Sequence, residues 1–144
     1  MLERHLGADA PDTVIAFYGG SFTGLSLELQ DAYLGAAHGF IERGLASGIR
    51  VSTRPDYIDM EKLAFLKARG VVTVELGVQS LDDEVLRLSG RGHLAEDSIR
   101  AAGMVKSAGL ELGMQLMAGL PGDTAGRFMR ISSALPFSLS AGAM

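Results

Sequence analysis

Four short apolar runs, each followed by a stretch of helical character, constrain this chain more than any other feature. The runs are Val14–Tyr18, Ile49–Thr53, Val72–Leu76 and Leu112–Met117. Their starts lie 35, 23 and 40 residues apart, which leaves room for a crossover helix each time. Strand, helix, strand, helix predicts a parallel α/β sheet with right-handed crossovers. The first helical stretch has apolar residues at Leu29, Ala32, Tyr33, Ala36, Ala37, Phe40 and Ile41, in steps of three and four that predict one buried stripe. The second runs from about Met60 to Arg69, with Asp59 as N-cap and Gly70 as stop. The third is split. A short turn at Asp82–Leu88, opened by Ser80, precedes Ala95–Ala108, which Gly109 stops.

The ends fit this pattern less well. Met1–Leu6 reads as the tail of a helix without its strand. After Pro121 the pattern fades, and Ile131–Met144 shows neither charge nor period. At 144 residues the chain is too short for a whole eight-unit barrel, which needs about 250.

Composition adds exclusions. There is no cysteine, so no disulfide, thiolate metal site, cysteine nucleophile or iron–sulfur cluster can rest on this chain's own thiolates. A net charge of −4 argues against sequence-independent binding to phosphate backbones. The longest uncharged runs, Thr13–Leu27 and Ile131–Met144, fall short of a membrane span. Met1–His5 carries both signs of charge and no apolar stretch follows, so no signal peptide is read. A cytoplasmic protein without a membrane partner is expected.

Ligands of parallel α/β proteins sit at the carboxyl ends of the strands. The first run ends in Gly19-Gly20-Ser21-Phe22-Thr23-Gly24, which reads either as a tight glycine turn or as backbone opened to a polar ligand. The second ends in Ser52-Thr53-Arg54-Pro55-Asp56-Tyr57, either a small-ligand contact or an Arg54–Asp56 surface pair. The third alternates, with Val72, Val74, Leu76 and Val78 on one face and Thr73, Glu75, Gly77 and Gln79 on the other. If helices cover the apolar face, Glu75 and Gln79 face a barrel interior or ligand cavity, where a charge must be paired or used. Arg91, between Gly90 and Gly92, can reach a carboxylate or phosphate; His93 reads as a hydrogen-bonding residue. Gln115 is the polar residue inside the fourth run. Spacing alone stops at half of an α/β barrel with a polar site at its strand ends.

Five segments in order resemble the radical S-adenosylmethionine (radical SAM) superfamily, in the branch around the elongator catalytic subunit and the oxygen-independent coproporphyrinogen oxidase. They are Phe17–Thr23, Ser52–Tyr57, Val74–Ser80, Arg87–His93 and Gly119–Thr124. The likeness covers about Thr13 to Thr124. It implies about four βα units of a TIM-like (β/α)6 partial barrel that binds S-adenosylmethionine across its strand ends. By position, Gly19, Gly20 and Ser21 fall in the glycine motif that contacts the methionine amino group. Thr53 falls at a ribose or amino contact, Gln79 and Arg91 at the pair for ribose and carboxylate, and Gln115 at a further ribose contact. Thr53 and Gln115 stand where some relatives have acids. Family members hold a [4Fe–4S] cluster through C-x-x-x-C-x-x-C and cleave S-adenosylmethionine to a 5′-deoxyadenosyl radical.

The departure from the family is the missing cysteine loop. The expectation is therefore a central piece of a radical SAM enzyme, inactive alone. Residues 1–130 would form an incomplete core domain and 131–144 an irregular tail, with Met1 as an internal start. The alternative is a cluster-free module that still binds S-adenosylmethionine or another nucleotide. An unrelated aldolase-type barrel would want a lysine at a strand end, and Lys62, Lys67 and Lys106 all fall in helical stretches. The substrate is not legible, and tRNA enters only through the resemblance. Unpaired edges at Val14–Tyr18 and Leu112–Met117 predict self-association.

Overall fold

The computed structural model describes residues 12–131. Four strands form one parallel sheet: β1 (Val14–Phe17), β2 (Gly48–Thr53), β3 (Val71–Gln79) and β4 (Glu111–Leu116), in that spatial order. The helices between them are α1 (Leu27–Glu42), α2 (Met60–Ala68), α3 (Asp83–Leu88) and α4 (Ala95–Ser107), and α5 (Ala125–Met129) follows β4. The expected alternation of parallel strands and helices is thus the observed architecture.

Helix ends follow local chemistry. Asp59 accepts from Lys62 N at 2.7 Å and opens α2, and Gly70 closes it at φ 88°. Gly109, at φ 71°, follows α4 in the same way. The opening of α3 differs from expectation. Asp82 is its cap, accepting from Glu84 N and Val85 N, while Ser80 Oγ supports the turn before it by accepting from Asp82 N. Beyond the expected fading point, Thr124 Oγ1 accepts from Arg127 N and caps one further short helix, α5. Ile131 is buried. The readings of Met1–Leu6 and of the tail beyond Ile131 lie outside the described residues.

One core cluster joins Leu34 and Ala37 of α1, Leu63 and Leu66 of α2, and Ala101, Ala102 and Val105 of α4 to Ile49, Val51, Val74, Leu76 and Val78 of the sheet. The helices therefore cover one sheet face. Strand alternation sends Arg50, Ser52, Glu75, Gly77, Gln79, Gly113 and Gln115 to the other.

Two expectations need correction. On α1 the buried line is Gln30, Leu34 and Ala37, while Leu29, Tyr33, Ala36 and Phe40 are exposed. The helix carries two adjacent apolar lines, and the sheet takes the one with Leu34. Gln30 can join it because its amide donates to Leu25 O at 2.8 Å. On β3, Val72 is exposed and Thr73 is buried. A bulge causes this: Ile49 pairs with Val71, Arg50 pairs with Thr73, and Val72 is the extra residue. The expected alternation holds from Val74 onward.

Candidate functional site

At the carboxyl ends of the strands lies an open cleft of about 470 Å³. Its size is in the range of small-molecule sites. All seven residues singled out in the sequence line it: Gly19, Gly20, Ser21, Thr53, Gln79, Arg91 and Gln115. Ser52, Arg54 and His93 line it as well.

After β1 the chain turns through Gly19 and Gly20, at φ 91° and 90°. That backbone is strained for any residue with a Cβ, and among the described residues no heavy atom beyond the adjacent residues lies within 4 Å of where a Cβ would stand at either position. The glycines are thus required by conformation, and the space they leave opens on the cleft. Ser21 Oγ accepts from Arg54 N at 3.3 Å, tying the β1 loop to the end of β2.

Thr53 is buried, and its hydroxyl is bonded to that of Thr23. Thr23 donates its one hydroxyl proton to Tyr57 O at 2.9 Å, so Thr53 is the donor of the pair. Toward a ligand, Thr53 can therefore only accept.

The two arginines of the cleft differ in kind. Arg54 holds Asp56 through two bonds, Nε to Oδ1 at 2.9 Å and Nη2 to Oδ2 at 2.7 Å, and lies over the Tyr57 ring. The Arg54 guanidinium holds the Asp56 carboxyl below the usual carboxylate range, and Asp56 in turn raises Arg54. The open choice for Arg54 thus resolves as an internal pair. Arg91, displayed between Gly90 and Gly92, has no carboxylate partner among the described residues. Its Nη2 reaches only Met117 Sδ at 3.5 Å, and its Nε is buried without a partner. A thioether is a weak acceptor, so Arg91 is the cation available to an anionic ligand group.

Gln79 is the one non-glycine residue with positive φ (67°) among the described residues. Such strain persists only where surroundings over-determine it, and it gathers at ligand sites. Here the backbone is fixed by Met117 N donating to Gln79 O at 3.0 Å, while the side-chain amide makes no bond within the described residues. His93 acts as expected, as a buried hydrogen-bonding residue with Nε2 donating to Val78 O at 3.1 Å.

Two residues outside the lining of the cleft, Glu75 and Gly113, support residues that line it. Glu75 Oε2 accepts from Ser52 Oγ at 3.0 Å and from Gln115 Nε2 at 3.3 Å. Gly113 makes room, since a Cβ there would stand 2.5 Å from Glu75 Cγ. The alternation of β3 already placed Glu75 on this face. The pairing of Ser52 and Gly113 with it depends on register, which one strand's pattern does not carry.

The residues present fit a small zwitterionic or nucleoside ligand: an unpaired guanidinium, an unbonded amide, two open glycines and several acceptors. They do not fit an iron–sulfur cluster. The chain has no cysteine, and the described residues hold no group of three His, Cys, Asp or Glu able to bind a metal.

A parallel α/β sheet with a polar cleft at its strand ends is the class of protein that fold and site define. Comparison with known proteins narrows it. The pattern of the Radical SAM superfamily matches residues 2–135, beyond the expected limits at both ends, and the chain belongs to that superfamily. A tRNA uridine(34) acetyltransferase of Methanocaldococcus infernus is 42% identical over 74 residues, 51% of this chain and 14% of that protein. The oxygen-independent coproporphyrinogen-III oxidase-like protein HemZ of Bacillus subtilis is 32% identical over 118 residues, 80% of this chain and 24% of that protein. Among solved structures, the archaeal Methanocaldococcus infernus Elp3 with an N-terminal deletion superposes with a TM-score of 0.74 at 28% identity, over 83% of this chain and 33% of that one. The chain thus spans a third or less of the length of these relatives. No helix among the described residues is long and apolar enough to cross a membrane.

Proposed function

We propose that this chain is an S-adenosylmethionine-binding portion of a radical SAM core and ligates no cluster itself. The observation that carries the reading is Arg91, a guanidinium without a carboxylate partner among the described residues, which lines the strand-end cleft together with Gln79. Arg91 would take the ligand's carboxylate, and Gln79 its ribose or carboxylate. Gly19, Gly20 and Ser21 would face its amino group. Thr53 and Gln115 would supply acceptors for donors of the ribose or amino group. In the superfamily the bound cluster supplies an electron that cleaves S-adenosylmethionine. In this chain the residues bind and orient the ligand, and catalysis needs thiolates from elsewhere.

The name of one relative suggests tRNA, against which the net charge of −4 weighs for this part of the surface. The edge strands β1 and β4 and the apolar outer face of α1 would draw copies of the chain together.

Calorimetry with S-adenosylmethionine tests the reading. Binding is expected in the wild type and should weaken about 10- to 100-fold in Arg91→Ala, the contribution of a charge-assisted hydrogen bond. No binding, or equal binding by Arg91→Ala, rejects it. Anaerobic incubation with iron and sulfide should leave no cluster absorbance; a four-iron cluster on this chain would contradict the second half of the proposal.

A further inference from the structure

The polar residues of the cleft are organised by a mostly buried carboxylate outside its lining. Glu75, on the central strand β3, receives one donor from each neighbouring strand: Ser52 Oγ of β2 and Gln115 Nε2 of β4, both at Oε2. Arg50, also on β2, lies 3.5 Å from Oε1 as its counter-charge. The arrangement requires Gly113, which pairs with Glu75 in the ladder and leaves the volume its side chain fills.

A carboxylate accepts and does not donate, so it dictates which end of each neighbour it receives. Ser52 must donate its single proton to Glu75, leaving only lone pairs. Gln115 must turn its NH₂ to Glu75, leaving its carbonyl oxygen free to accept. Thr53, beside them, already donates its proton to Thr23. Ser52 and Thr53 are thereby left only as acceptors, and Gln115 presents its carbonyl oxygen and one remaining N–H.

We propose that Glu75 is a positioning residue that fixes the hydrogen-bond polarity of the cleft floor, so that the Ser52 hydroxyl and the Gln115 carbonyl oxygen accept from a ligand's hydroxyl or ammonium group. The proposal rests on the reading of the cleft as an S-adenosylmethionine site. In that ligand, the ribose diol and the amino group are the donors of this kind. The charge division of the site follows: Arg91 meets the anionic group, and the acceptor floor meets the donors.

Exchanging the two side chains separates positioning from simple packing. In Glu75→Gln an amide replaces the carboxylate, the amide of Gln115 is free to turn, and S-adenosylmethionine binding by calorimetry should weaken about five- to tenfold, the contribution of one hydrogen bond. The double variant Glu75→Gln with Gln115→Glu moves the carboxylate to β4 and the amide to β3. The amide on β3 then donates to the carboxylate on β4, whose second oxygen still accepts, and binding should return to the wild-type level or better. Equal binding by Glu75→Gln, or a double variant weaker than Glu75→Gln, overturns the proposal.

A second measurement needs no ligand. The Gln115 side-chain amide, identified in a nitrogen-15 spectrum by its loss in Gln115→Glu, should exchange slowly with water in the wild type. It should exchange fast in Glu75→Ala, with the backbone spectrum otherwise kept. Fast exchange in the wild type overturns the proposal. If the wild type binds no S-adenosylmethionine, the reading of the site falls, while the amide measurement still decides whether Glu75 sets the polarity.

Discussion

The centre of the sheet and its β1 edge are built to different standards. Between β2 and β3 the structure is closed. Ile49, Val51, Val74, Leu76 and Val78 are buried against α2 and α4, and Ser52 and Glu75 bond across the two strands. Along β1 and α1 it is open. Val14, Tyr18, Leu27, Leu29, Tyr33 and Phe40 are exposed, and α1 buries only Gln30, Leu34 and Ala37. A strand flanked on both sides can bury its residues and hold a charge in place, whereas an edge strand leaves half its ladder and one helix face unmatched. The candidate site straddles this divide. Ser52, Thr53 and Gln79 belong to the closed region, Gln115 to the opposite edge strand β4, and the glycine turn to the open β1 side.

The comparison breaks first in the closed region. Leu66→Ala removes a fully buried side chain between helix and sheet and should cost about 2–5 kcal/mol in denaturant unfolding. Leu29→Ala, on the outer face of α1, should cost less than about 0.5 kcal/mol. Equal costs would mean that the two sides are packed alike.

Gly20→Ala places a Cβ at φ 90°, and about 1–2 kcal/mol of stability should be lost even though the added atom meets open space. A cost-free substitution would show that the turn can rearrange, and that the open side is softer than its backbone suggests.

Acid sharpens the contrast from the closed side. The Arg54 hydrogen bonds depress the Asp56 pKa in the folded chain, so the stability this pair contributes is full above the ordinary carboxylate range. It is lost as pH falls through the depressed native value. Asp56→Asn should therefore flatten the fall of stability below about pH 4 in urea titrations. An unchanged slope would remove Asp56 from the acid response.

The smallest effect on stability falls on the open side. Leu29→Lys with Phe40→Lys should leave the unfolding midpoint nearly unchanged, yet lower the apparent mass by light scattering if the outer face of α1 draws copies together. Association of equal extent in both chains would place the contact elsewhere.

How much of this was legible in the sequence follows the same divide. All four strands could be read as short apolar runs, and in the third the alternation also showed which face was polar. Asp59 and Gly70 announced α2 through cap chemistry that acts within one turn. The stripe on α1 misled because two apolar lines run side by side, and only the sheet decides between Leu29–Tyr33 and Leu34–Ala37. The bulge at Val72 was invisible, since an extra residue is defined by the partner strand. Gly113 and Ser52 stayed hidden for the same reason. Their role is a contact with Glu75 across the sheet, not a pattern along the chain. The Arg54–Asp56 pair was legible as one of two readings, and the two bonds between them decide for it.

The central claim is that the strand ends hold S-adenosylmethionine without a cluster. A nitrogen-15 correlation spectrum of the chain, titrated with S-adenosylmethionine, tests it most directly. The predicted result is saturable shifts at Gly19, Gly20, Gln79, Arg91 and Gln115, with Leu29 and Phe40 unmoved. A spectrum that does not change, or one whose shifts centre on α1, would contradict it.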